Sequence, residues 1–185
     1  MADIGLLERY QEFRTRRFLR HEEQYRHWLP RWRTQRRRRV LVMVLAVILL
    51  TMIAVGVVCL NDMQTGPLLW LPVCVAFLVT WTVLQIVSGR QGDAPRHALD
   101  EWEVQQRDSA RSIGLTVTQT LTFVPAMFLI LAGALDPDID RTNLAYSAGL
   151  FVLTTLIIGA CVPAMILAWT RPDPDPDTDD HQEPA

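Results

Sequence analysis

The 185 residues suffice for one domain; half are hydrophobic, 21% are charged, and the formal net charge is −2. Apolar and charged residues are segregated along the chain, and residues 40–60, 67–88, 115–135 and 146–169 contain no Asp, Glu, Lys, Arg or His. A soluble helical domain is excluded, because its helices each keep a wet face and because a chain of this length leaves too little protein to bury four wholly apolar helices.

Each run is at least 21 residues long, and at about 1.5 Å rise per residue that matches a hydrocarbon core of about 30 Å. The expected fold is therefore all-α, an integral membrane four-helix bundle. The spans are residues 40–60, 67–88, 115–135 and 146–169. The first span alone holds fourteen Val, Leu or Ile residues, together worth on the order of −6 kcal/mol on an insertion scale.

Residues 1–39 form an Arg-rich segment ahead of the first span. Over residues 4–35 the spacing predicts an amphipathic helix, with Leu6, Leu7, Tyr10, Phe13, Phe18, Tyr25, Trp28, Leu29 and Trp32 on one side. Pro30 interrupts it. The segment ends in Arg36, Arg37, Arg38 and Arg39, which with Trp28 and Trp32 are candidates for contact with anionic lipid headgroups at the bilayer surface. The alternative is a topology anchor whose stripe packs on its own bundle. Nucleic acid is not an expected partner, since membrane orientation already explains the basic run. The charged lead is too long, and the apolar run after it too long, for a cleaved secretory signal.

Orientation follows from arginine. All eighteen basic residues are Arg, and seventeen fall before span one, in the 89–114 link or after span four. Only Arg141 lies in the other two links. Short flanking basic segments mark the cytoplasmic side, so both termini and the 89–114 link are expected inside, at the plasma membrane.

Asn61 to Gly66 read as a tight external hairpin, ended by Gly66-Pro67. The 89–114 link reads as a cytoplasmic helix started by Asp93 and Pro95, with Leu99, Trp102, Ala110 and Ile113 on one stripe. Glu103–Arg107 and Asp108–Arg111 have ion-pair spacing, worth about 0.2–0.5 kcal/mol each. Leu99, Trp102, Glu103 and Arg107 are the candidates for binding a protein partner; the alternative is a solvated connecting helix. Leu99-Asp100-Glu101 followed by Arg107-Asp108 and Ala110 resembles a linker signature of poorly characterised small four-span membrane proteins of actinobacteria and their phages. Trp102 departs from the Arg usual there. The resemblance implies topology rather than activity.

Span three carries Thr116, Gln119 and Thr120 on one face, and span four carries Thr155, Gly159 and Pro163 at four-residue steps. These read either as helix-packing contacts or as a polar pathway between spans three and four. No span contains an ionisable side chain, which argues against proton relays, ion-coupled transport and voltage sensing. Asp136, Asp138 and Asp140 begin like a calcium loop, but Arg141 stands where Gly is required. The reading is an acidic hairpin whose last residues cap span four.

The three Cys and four His lack metal-ligand spacing, and no phosphate loop or nucleophile elbow is present. No catalytic, cofactor or metal residues are expected. Residues 170–185, dominated by alternating Pro and Asp, read as a disordered acidic cytoplasmic tail. The functional expectation is a non-catalytic multi-pass membrane protein acting through its cytoplasmic and membrane-surface segments, such as an envelope accessory or a prophage exclusion factor. A protein partner or a homo-oligomer would complete it. The alternative is a subunit of a small oligomeric channel or transporter for uncharged or weakly polar solutes.

Overall fold

A computed structural model describes Gly5 and residues 34–62, 64–88, 101–135 and 140–172. Four long helices make up nearly all of this, with no strand among the described residues: α1 Gln35–Asn61, α2 Gly66–Val87, α3 Glu101–Leu135 and α4 Arg141–Thr170. All four are long and apolar enough to cross a membrane. The expected amphipathic helix with Trp28 and Trp32, the linker residue Leu99, Asp136 and Asp138, and the acidic tail from Asp173 lie outside the described residues.

Helix α1 begins ahead of the apolar run and takes all four consecutive arginines into its first turns. Arg is a good helix former, and the Thr34 carbonyl accepts from the Arg37 and Arg38 amides at 3.1 Å each. The turn after α1 is built by Asp62. Its carboxylate accepts from the amides of Gln64 at 2.9 Å and Thr65 at 3.2 Å, and from the Thr65 hydroxyl. A short acidic side chain that satisfies the next amides is the usual way such a turn is fixed. These bonds hold the Asp62 carboxyl below its ordinary range, the Thr65 hydroxyl contributing most and the amides of Gln64 and Thr65 the rest.

Residues 101–114 of the expected 89–114 linker helix and the third apolar run, expected as separate elements, form one 35-residue helix, α3. No proline stands between Glu101 and Val124, and Gly114 is the one glycine there. The change from polar to apolar side chains at residue 115 does not interrupt the backbone ladder. Helix α4 starts at Arg141, five residues ahead of the expected span. Asp140 is its N-cap and accepts from the amides of Thr142 at 2.9 Å and Asn143 at 3.4 Å, a cap worth about 1 kcal/mol.

Helix α1 packs on α2 and on α4, and α4 packs in turn on α3. Helices α1 and α4 are thus central, and α2 and α3 flank them. Along α1 the inward stripe runs through Leu41, Leu45, Leu49 and Met52, which meet Leu84 and Val87 of α2 and Cys161 and Ala168 of α4. Helices α2 and α3 bury little and leave Leu71, Val79, Phe123, Val124 and Ile130 open.

Candidate functional site

Two regions carry the polar chemistry: the arginine-rich end of the bundle and the two opposite faces of α3.

At the arginine-rich end, the four consecutive arginines separate by helical geometry. Arg38 stands three, four and seven residues before Leu41, Val42 and Leu45, so it shares their inward face, and it is 2% exposed. Its Nη2 donates to the carbonyls of Arg171 at 2.7 Å and Pro172 at 2.8 Å, beyond the end of α4. The last carbonyls of a helix have no partner within it, and a guanidinium is well matched to them. Arg171 in turn donates from Nη1 to the Ser88 carbonyl at the end of α2, at 3.1 Å. One arginine relay therefore joins the ends of α1, α4 and α2. Arg36, Arg37 and Arg39 are exposed, and the Arg39 guanidinium lies 5.2 Å from the Trp169 ring centroid, a cation–π distance.

Helix α3 joins the same end. The Gln106 amide donates to Thr170 Oγ1 at 2.8 Å. Arg107 is 4% exposed and turned into the molecule, with Nε and Nη2 donating to Asp108 Oδ1 at 3.2 and 3.0 Å. Of the residues expected to bind a partner, Arg107 is thus committed to its own chain and Glu103 is half-buried, while Trp102 is 65% exposed. Ala110 is buried, whereas Ile113, expected on the same stripe, is exposed.

Further along, α3 and α4 approach each other closely. Gly114 faces the Pro163 ring and the Gly159 carbonyl, and Thr118 lies against Gly159. Pro163 has no amide hydrogen to return to Gly159, so that carbonyl is free of the usual helical bond. One turn on, Thr122 and Thr155 share a hydrogen bond at 3.3 Å. Thr118 satisfies its own hydroxyl on the Gly114 carbonyl at 2.7 Å.

The expected polar triad of α3 lies elsewhere. Thr116, Gln119 and Thr120 are all exposed, on the face turned away from α4. None of them stands between the third and fourth helices, where Thr118, Thr122 and Thr155 do. Those three were legible in principle, because Gly114-Thr118-Thr122 repeats at the same four-residue step as Thr155-Gly159-Pro163.

Among the described residues no group of three His, Cys, Asp or Glu gathers where it could hold a metal. Comparison with protein-family models, curated proteins and solved structures finds no match.

Proposed function

We propose that the four helices cross a membrane with the arginine-rich end in the cytoplasm, and that the protein acts without catalysis by presenting that end to a protein partner. The observation that carries this reading is the exposure of Trp102 on an unbroken extension of α3. Residues 101–105 continue past the level at which Gln106 meets the last turn of α4. An indole held on a rigid helix offers a large contact area at little cost in conformational freedom, which is why Trp is enriched among interface anchors. Arg36 and Arg39 stand exposed at the same end, where anionic headgroups would meet them; each such Arg contributes about 1 kcal/mol near the surface.

The test is recovery of a crosslinked partner by the full-length protein. Trp102→Ala combined with Leu99→Ala abolishes that recovery if the reading holds, and unchanged recovery overturns it. The exposed Thr116–Gln119–Thr120 face favours a second reading, a subunit of an oligomeric channel for uncharged or weakly polar solutes. Purified protein in liposomes that passes no solute at any density counts against it.

A further inference from the structure

We infer that the outward face of α3 is a self-association surface on which a second copy of this chain docks, with Gln119 paired to Gln119 across a twofold axis along the membrane normal. The inference rests on the membrane reading above.

Hydroxyl side chains in these helices largely look after themselves. Thr51, Thr82, Thr116 and Thr154 each donate to the carbonyl four residues earlier, at 2.7–3.1 Å. The longer Gln119 amide, with two donors and an acceptor oxygen, has no such short return bond. Among the described residues no hydrogen bond reaches it, and it is exposed. It follows Thr118, which sits against Gly159 of α4, and it is the fifth residue of the apolar run 115–135, so in a bilayer its amide lies inside the stretch that meets lipid tails. Gln85, in α2, stands three residues from Ser88, at the level of the arginine relay. Lipid tails offer Gln119 nothing to bond to.

Gln119 is also not isolated. Ser109, Ser112, Thr116, Gln119 and Phe123 follow one another at steps of three or four residues, all exposed, opposite the side on which Gly114 and Thr118 meet α4. Serine and threonine along such a stripe let two helix backbones come close. The stripe carries no charge, so two copies do not repel along it.

A second copy is the occupant that fits. Copies inserted in the same orientation can be related only by an axis along the membrane normal, which sets each residue of one α3 opposite itself in the other. A primary amide is its own complement, donating and accepting at once, so a Gln119 pair satisfies both side chains. Because α3 flanks the bundle, none of the other described helices packs over that face.

The test uses the full-length chain with Cys74→Ala, diluted in vesicles of phosphatidylcholine and phosphatidylglycerol, with one reporter cysteine, Thr116→Cys on α3 or Val75→Cys on α2. Under mild oxidation Thr116→Cys is expected to give a crosslinked dimer and Val75→Cys is not. Gln119→Leu is expected to raise the apparent dissociation constant about fivefold to tenfold, the loss of two interhelical amide bonds, while Gln119→Asn retains most of the pairing. A monomer at every density, equal crosslinking through α2, a ladder beyond the dimer, or Gln119→Leu pairing like the parent would each overturn the inference. Retention in alkali-washed vesicles is scored on the same samples, so failure to insert is read apart from failure to pair.

Discussion

Replacing Gly159 with Ala probes the close contact between α3 and α4. A Cβ at residue 159 would lie 2.6 Å from the Thr118 Cβ and 3.0 Å from the Thr118 Cα. Carbon atoms rest at about 3.5–4.0 Å, and a Cα cannot rotate out of the way, so α3 and α4 must part by about 1 Å at this crossing. Overpacking of that kind costs about 1–3 kcal/mol. The separation also stretches the Thr122–Thr155 bond, now 3.3 Å, whose kind contributes about 0.6 kcal/mol on average between membrane helices. Against this, Ala gains up to about 1 kcal/mol over Gly in helix propensity. The net expectation is a loss of about 0.5–2.5 kcal/mol, measured by unfolding in mixed micelles with increasing dodecyl sulfate. Gly149→Ala is the matched control on the same helix. A Cβ there meets nothing within 4 Å, so the propensity gain stands alone and stability is unchanged or slightly raised. If Gly159→Ala unfolds together with Gly149→Ala, the close approach of α3 and α4 is refuted.

Arg38→Met keeps most of the buried volume but loses the two bonds to the Arg171 and Pro172 carbonyls. It should destabilise by about 2–4 kcal/mol, since hydrogen bonds from charged groups contribute about 1.5–3 kcal/mol each and are not additive. Arg38→Lys should fall between, a point charge replacing a fork; proteolysis at the end of α4 reports both, and equal protease resistance in all three proteins would contradict the relay. Asp62 has a carboxyl held below its ordinary range by the Thr65 hydroxyl and the Gln64 and Thr65 amides. Its stabilising effect is therefore present above the ordinary carboxylate range and fades as pH falls through the lowered value. The parent should exceed Asp62→Ala in thermal stability at pH 7, with the gap closing only in strong acid, and a gap independent of pH would exclude that origin.

The architecture was legible where composition speaks and silent where it does not. Four charge-free runs announce four helices, and Asp140 announces its own cap. Packing was harder to read because the runs are apolar all round. Periodicity finds the buried face of a half-wet helix, but on α1 the buried Leu45 and the exposed Val47 look alike in sequence. What does mark the contacts is small size, at Gly114, Gly159 and Ala168. The junction at residue 115 misled for a related reason: a change of solvent preference looks like a boundary, whereas only a backbone breaker ends a helix. Arg38 could have been singled out from its three neighbours, since a run of four residues covers most of a helical turn and one member must share the face of Leu41 and Leu45. The outward position of Gln119 could not, because three polar residues on one face say nothing about which way that face turns.

Four membrane crossings with the arginine-rich end inside would fix which residues face each side. Labelling intact and permeabilised cells with a membrane-impermeant maleimide at single cysteines tests that topology most directly, using Gln64→Cys in the α1–α2 turn, Arg141→Cys at the start of α4, Arg36→Cys and Glu101→Cys. Labelling is expected at 64 and 141 in intact cells, and at 36 and 101 only after permeabilisation. Labelling of residue 36 or 101 in intact cells, or protection of residue 64 or 141 there, would contradict that topology.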